Sequence, residues 1–177
     1  PVADALDAGE DAQLVPDLTV RTRREGPGAK VGQTDEITMI VEDNGPGIVK
    51  AQTGNIFGRL LYGSRFHAIR QSRGQQGIGI SATVMYSQLT TGKPAIIYSK
   101  IGDKQPVILT HLKLDTRNNR PDIISQEPVF GDEHRAQTEH GTRIEVSMVG
   151  KYQRGPQSIS DSLPSTAIVI PHAWTVF

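Results

Sequence analysis

The feature of this sequence that most restricts its fold is a series of β-rich runs interrupted by one long apolar segment. The runs, rich in β-branched residues, occupy positions 18–22, 36–41, 95–100, 107–114, 123–129 and 142–149. Residues 78–89 are apolar almost all round and predict a buried helix, and shorter helices are predicted at 2–12, 56–61 and 158–169. Runs of strands with helices grouped on one side predict an α+β fold, a two-layer sandwich whose mixed, mostly antiparallel sheet carries helices on one face.

The composition fits one soluble domain and excludes several classes of protein. The 177 residues suffice for one core, and 36% are hydrophobic. Lysine plus arginine equal aspartate plus glutamate at 19 each, so the chain as a whole lacks the basic charge typical of nucleic-acid-binding proteins. Cysteine is absent, which excludes a disulfide framework and thiolate metal sites. Every uncharged apolar run is shorter than the roughly 20 residues that cross a bilayer.

A glycine-rich segment, Arg73-Gly74-Gln75-Gln76-Gly77-Ile78-Gly79-Ile80-Ser81, directly precedes the long apolar helix. Glycines let the backbone approach a ligand, and the first N–H groups of a helix attract phosphate. A P-loop is excluded because no Lys-Ser/Thr pair follows, and a Rossmann fingerprint because the glycine order is GxxGxG. Taken alone, the segment fits a phosphate cradle and a plain helix start equally well.

A second motif, Asp43-Asn44-Gly45-Pro46-Gly47-Ile48, follows the second β-rich run. A carboxylate at a strand end, with glycines beside it, can accept a hydrogen bond from the exocyclic amine of adenine. Taken alone, the motif also fits a solvated turn in which Asp43 caps its own backbone.

The order of these features resembles that of the GHKL ATPases. The shared features are a helix with Asp4, the turn at 43–47, the glycines at 74–79 and a strand opening with His140-Gly141-Thr142. Four further segments, at 61–67, 70–80, 88–94 and 166–173, are similar to the B subunits of type IIB topoisomerases (topoisomerase VI). The resemblance covers nearly the whole chain and implies the Bergerat, or GHKL ATPase, fold.

The resemblance implies an ATP site with Mg²⁺ and assigns residues to it by position. Asp43 would read adenine, Gly45 and Gly47 would admit the base, and Thr142 would support the same side of the pocket. Ser64 and Arg65 would belong to a lid over the nucleotide. The phosphate cradle would comprise Arg73, Gly74, Gln75, Gln76, Gly77, Ile78, Gly79 and Ile80.

The chain departs from the family pattern in its first motif. The family asparagine that helps to hold Mg²⁺ aligns with Asp4, whose carboxylate can also ligate this cation. The general-base glutamate would fall just before Pro1, so no catalytic residue is expected within the chain. We therefore expect residues 1–177 to form a single domain, truncated in its N-terminal helix and lacking a downstream transducer domain, that binds ATP better than it hydrolyses it.

The resemblance further implies an ATP-operated clamp acting on double-stranded DNA. ATP would drive two B subunits to dimerise around one duplex, while a topoisomerase VI A subunit cuts another within an A2B2 heterotetramer. Its location would be the cytoplasm of an archaeal-type cell, or a eukaryotic nucleus. The alternative, favoured by Asp4, is an ATP-binding module that no longer hydrolyses ATP and serves as an assembly partner. A further alternative is another GHKL protein, such as a chaperone or a kinase, which segments 71–80 and 90–94 disfavour.

The remaining polar residues are assigned ordinary roles. The five histidines have no metal-ligand spacing. Arg65, Arg70 and Arg73 form a small basic cluster, which lid and phosphate contacts explain at least as well as contacts with DNA. A solvated strand edge is expected for Arg21, Arg23 and Arg24, and a packing role against a following domain for Trp174 and Phe177.

Overall fold

The computed structural model describes residues 2–24, 34–62, 78–130, 139–151 and 174–176. Within these residues there are three helices and seven strands. In chain order they are α1 Val2–Asp11, β1 Asp17–Arg24, β2 Thr34–Asp43, α2 Lys50–Gly58, α3 Gly79–Thr91, β3 Ala95–Lys100, β4 Val107–Asp115, β5 Arg120–Val129, β6 Gly141–Lys151 and β7 Trp174–Val176.

All seven strands belong to one sheet, in the order β5-β4-β3-β6-β2-β1-β7. Five of the neighbouring pairs are antiparallel, and β7 pairs with β1 in parallel. The central pair is β2 with β6, whose register runs from Thr34 opposite Lys151 to Asp43 opposite Thr142. The predicted mixed, mostly antiparallel sheet is confirmed.

The helices cover one face of this sheet. Successive residues of a strand point to opposite faces, so strands whose apolar residues alternate with polar ones present an apolar face that the helices bury. Directly opposite residues project to the same face, and one such row across four strands is apolar and buried: Val20, Val41, Ile144 and Ile97. Each helix adds buried side chains to the same core, among them Leu6 of α1, Phe57 of α2 and Val84 of α3. The α+β two-layer sandwich is therefore confirmed.

Helix α3 lies where the apolar segment predicts a helix, but it is not buried all round. Tyr86 is 50% exposed and Leu89 is 70% exposed, because a two-layer sandwich covers only one side of each helix. On the covered side, Ser87 is fully buried and its hydroxyl donates to the Ser147 carbonyl at 2.6 Å. The helix ends at Gly92, whose φ of 70° forms a left-handed cap.

The other differences from the sequence prediction have local causes. Helix α2 begins at Lys50 rather than at residue 56 and ends at Gly58, because two low-propensity glycines hide it from pattern analysis. Strand β7 spans three residues, too few to produce a periodic pattern. The arginines at 21, 23 and 24 are exposed, as predicted. The predicted helix at 158–169 lies outside the described residues.

Among the described helices, none combines the length and the hydrophobicity needed to cross a bilayer.

The glycines of α2 let this helix approach β5 closely, which gives a test of the packing. A Cβ at Gly58 would lie 2.8 Å from the Cβ and 2.9 Å from the Cα of Pro121. Because backbone cannot easily move aside, we expect Gly58→Val to lower the free energy of unfolding by about 2 kcal/mol, as overpacked cores do. Gly150→Val is the control, since a Cβ at Gly150 meets no atom within 4 Å. Equal urea midpoints for the two variants would contradict the close α2–β5 contact.

Candidate functional site

Asp43 is the last residue of β2 and points to the helix-covered face of the sheet. It lies between Leu18 of β1 and Thr142 of β6 in the strand register. Its Oδ1 accepts two backbone hydrogen bonds, from Gly45 N at 2.8 Å and from Thr142 N at 3.3 Å. These bonds join β2, the following turn and β6 at a single oxygen atom.

Burial raises the pKa of the Asp43 carboxyl from 3.8 to about 6. The amides of Gly45 and Thr142 and the nearby His140 act in the opposite direction, while the charge of Glu42 raises the pKa further. The carboxylate is therefore mostly ionised at neutral pH although it is poorly solvated. Within the described residues, no hydrogen bond to Oδ2 is found, so this oxygen can accept one from a ligand.

Two glycines allow the turn after Asp43 to pack without side chains. A Cβ at Gly45 would lie 2.8 Å from Asp43 Oδ1 and would displace the carboxylate. Gly47 has a φ of 71°, and its Cβ would lie 2.1 Å from the Lys100 carbonyl oxygen. Each glycine is thus required by a contact within the chain, and neither places a side chain beside the Asp43 carboxylate.

The turn is fixed to the sheet on both sides. Asn44 joins it to the start of β1, because its Oδ1 accepts from Asp17 N at 2.9 Å and its Nδ2 donates to the Val15 carbonyl at 3.0 Å. Ser99 of β3 joins it on the other side, where its Oγ accepts from Ile48 N at 2.7 Å and donates to Ile48 O at 3.0 Å. The direction of the Asp43 carboxylate is therefore set before any ligand binds.

His140 also contacts the turn, a role that sequence analysis missed. Its Nδ1 lies 2.8 Å from the Gly45 carbonyl oxygen. Since a carbonyl can only accept, Nδ1 carries a proton in this contact. The position of His140, immediately before the Gly141-Thr142 pair, was the signal that could have indicated this contact. For the contact of Ser99 with the turn, there was no local signal in the sequence.

The first turn of α3 forms the other end of the site. Ile78 precedes the helix without a side-chain cap, and the first backbone bond of the helix runs from Ala82 N to Ile78 O at 2.8 Å. The N–H groups of the first three helical residues therefore have no partner within the helix. The side chain of Ile80 is buried in the core, so its contribution to this end of the site is its backbone.

Helix α1 brings the two ends together. A Cβ at Gly79 would lie 3.7 Å from Asp4 Oδ2, and a Cβ at Gly45 would lie 3.7 Å from Ala8 Cβ. Asp4 and Ala8 are four residues apart and share one helix face, so the two contacts are separated by about 6 Å along the helix axis.

Eight of the assigned residues lie in the described part of the chain: Asp4, Asp43, Gly45, Gly47, Ile78, Gly79, Ile80 and Thr142. Two of these eight, Gly45 and Gly79, lie beside α1. The other seven, Ser64, Arg65, Arg73, Gly74, Gln75, Gln76 and Gly77, lie outside the described residues. In the described part of the chain, no group of three His, Cys, Asp or Glu side chains could hold a metal ion by itself.

Comparison with known proteins found relatives that share one name. No protein-family model matches the chain. It is 50% identical to the B subunit of type 2 DNA topoisomerase 6 from Methanosarcina barkeri, over 97% of this chain and 26% of that protein. The B subunit from Archaeoglobus fulgidus is 46% identical, over 99% and 27%, and that from Halobacterium salinarum is 48% identical, over 97% and 20%.

A solved structure, the N-terminal domain of a DNA repair protein, aligns with 97% of this chain and 40% of its own at 15% identity and a TM-score of 0.46. The chain spans 20 to 27% of the length of the curated relatives named above. On the strength of these sequence matches, the chain belongs, as a segment of that length, to the family of type 2 DNA topoisomerase 6 B subunits.

Proposed function

We propose that this chain is the ATP-binding module of a type 2 DNA topoisomerase B subunit. The observation that carries the proposal is the pairing of a partly buried, fixed carboxylate at Asp43 with the uncapped first turn of α3; Gly45, which holds that carboxylate, and Gly79 of that turn both lie beside α1. One end of such a site suits a base and the other suits phosphates. Perturbed carboxylates in a cleft are typical of functional sites.

At the base end, Asp43 Oδ2 accepts a hydrogen bond from the exocyclic amine of adenine. Guanine has a carbonyl at the equivalent position, which an ionised carboxylate repels, so the site selects ATP over GTP. Gly45 and Gly47 leave room for the ring, and Thr142 holds the carboxylate in place through its backbone amide.

At the phosphate end, the bare N–H groups of Gly79 and Ile80 face the anion, and the helix dipole adds to their attraction. The family resemblance adds Arg73 to Ile78 as the remainder of the cradle and Ser64 and Arg65 as lid residues. Asp4 lies beside this end and offers one carboxylate to Mg²⁺, which commonly takes one or two protein carboxylates together with phosphate oxygens. When bound, Mg²⁺ neutralises phosphate charge; we assign no residue of the chain as the general base.

In the whole protein, we propose that ATP binding dimerises two B subunits around a DNA duplex in the cytoplasm of an archaeal-type cell. Passage of that duplex through a break made by the A subunit then requires the A2B2 assembly. The names of the relatives support the A and B division of labour, since each is named as the B subunit of a type 2 DNA topoisomerase.

A second candidate function is an ATP-binding assembly module without hydrolysis. The observation that favours it is Asp4 itself, a carboxylate beside the first turn of α3, where phosphates would lie. A nucleotide titration followed by a hydrolysis assay, on this chain and on the full-length B subunit, separates the two candidates. Both should bind ATP, and turnover by the full-length subunit is expected only for the first.

The carboxylate at Asp43 is tested by Asp43→Asn, which keeps the shape and turns one acceptor into a donor. We expect ATP affinity to fall about 10- to 100-fold, the value of a hydrogen bond to a charged group. Glu42→Gln is the matched control, since Glu42 is the adjacent residue and projects from the opposite face of the sheet. Calorimetric titration that gives the same ATP affinity for Asp43→Asn and Glu42→Gln would refute the proposed base site.

The raised pKa of Asp43 predicts two pH dependences. The carboxyl titrates near 3.8 when unfolded and near 6 when folded, so the folded state binds the extra proton between these values and stability falls as pH rises through this window. Above pH 6 this loss in the free energy of unfolding has reached its full size, on the order of 3 kcal/mol. Because Asn cannot titrate, the stability of Asp43→Asn should exceed that of the parent chain increasingly from pH 4 to pH 6.5.

ATP affinity should show the opposite trend, since the ionised carboxylate is the better acceptor. We expect about a tenfold rise between pH 5 and pH 7 in the parent chain, as for one linked proton. The rise should be absent in Asp43→Asn; a rise that persists there would show that Asp43 is not the linked group.

Asp4→Asn tests the second candidate. Removing the charge should strengthen ATP binding in the absence of Mg²⁺ by about fivefold, the size of a 1 kcal/mol effect at a helix N-terminus. The Mg²⁺ dependence of binding should weaken at the same time. Unchanged affinity with and without Mg²⁺ would show that Asp4 does not face the phosphates.

A further inference from the structure

A cleft lies at the end of α2, beside the turn that joins β4 to β5. Its volume is about 520 Å³, and its lining consists of Asn55, Arg59, Asn118, Asn119, Arg120 and Pro121. None of these residues belongs to the Asp43 site. We call it the arginine cleft.

The two arginines of the cleft come from segments that are locked together. Asn119 Oδ1 accepts from Leu60 N at 2.8 Å, and its Nδ2 donates to Leu60 O at 3.3 Å. The close approach of Gly58 to Pro121 fixes the end of α2 against the start of β5. Arg59 and Arg120 each adjoin one of these contacts, so the backbones that carry the two guanidinium groups are held in place without a ligand.

The charge of the lining is positive. It contains two guanidinium groups, three side-chain amides and no carboxylate. The carboxylate of Asp115, in the same turn, accepts hydrogen bonds from the backbone of Arg117 and Asn118 and from Asn118 Nδ2, and these bonds lower its pKa. Both oxygens of that carboxylate therefore accept hydrogen bonds within the turn.

The donors of the cleft suit an oxyanion, and phosphate in particular. One guanidinium group can donate two parallel hydrogen bonds to two oxygens of a phosphate, and the side-chain amides add further N–H donors. The lining contains no aromatic ring on which a base could stack. Both arginines are exposed, which suits a ligand that passes across the surface and extends beyond the cleft.

We propose that the arginine cleft binds a phosphate group, with Arg59 and Arg120 as its charged ligands, and that the source is the backbone of duplex DNA. This inference goes beyond the proposed ATP site, because the two sites are far apart. The separation can be read from the pairing of the strands. Asp43 of β2 lies opposite Thr142 of β6, Thr142 lies opposite Ser99 of β3, and Ser99 lies opposite Ile108 of β4. Arg120 of β5 lies opposite Asp115 of β4. These positions are seven residues apart along β4, about 24 Å at the rise of a strand.

The test compares two double variants of the full chain with equal loss of charge. Arg59→Gln with Arg120→Gln removes both cleft arginines, which are exposed, so the fold should tolerate the change. Arg21→Gln with Lys104→Gln is the matched control, because both of these cations are exposed and lie outside the cleft. Binding of a labelled duplex is measured by fluorescence anisotropy over a range of salt concentrations.

We expect the cleft variant alone to lose duplex affinity and to lose about two units from the slope of log affinity against log salt, one for each phosphate contact. Inorganic phosphate should shift the side-chain Nε–H resonances of Arg59 and Arg120 in NMR spectra of the parent chain. ATP affinity should be equal in both double variants, so failure of this inference is distinct from failure of the ATP site.

Each remaining outcome decides the inference. If phosphate shifts both resonances while the duplex slope is unchanged, duplex DNA is overturned as the source, and the cleft binds a small phosphate compound. If phosphate shifts neither resonance and the two double variants behave alike, the inference is overturned. Displacement of the duplex by poly-glutamate, with no effect of inorganic phosphate, would overturn it in favour of an acidic peptide.

Discussion

The site depends on one oxygen atom, Asp43 Oδ1, which accepts hydrogen bonds from Gly45 N and Thr142 N. These bonds hold the end of β2, the following turn and the start of β6 in one arrangement. They offset only part of the cost of burying the carboxylate, since its pKa still lies near 6. A group kept at a cost to stability, with its second oxygen open to a ligand, is what recognition of a base requires.

Two helices relate this oxygen to the rest of the molecule. Helix α1 lies beside Gly45 at Ala8 and beside Gly79 at Asp4, so one helix face relates the Asp43 turn to the first turn of α3. Helix α2 begins soon after the Asp43 turn and ends at the arginine cleft. The two proposed sites therefore lie at opposite ends of this segment, the Asp43 turn before α2 and a cleft with two arginines and three amides at its end.

Sequence reasoning located most strands because β-branched residues mark them, and β3 occupies the predicted residues. It misplaced the start of α2, whose glycines lower helix propensity but permit the contact with Pro121. Sequence analysis singled out Asp43 because its motif is local. His140 and Ser99 were not, because they reach the turn from 95 and 51 residues away in the sequence. The arginine cleft was missed for the same reason, since packing of α2 on β5 creates it.

The most direct measurement of the central claim is the titration of the Asp43 carboxyl carbon by ¹³C NMR, with and without ATP. We expect a pKa near 6 in the free chain and a clear decrease when ATP binds, because a donor on the base stabilises the ionised carboxylate. An ordinary pKa in the free chain, or a pKa that ATP leaves unchanged while it binds elsewhere, would contradict the assignment of Asp43 as the residue that reads adenine.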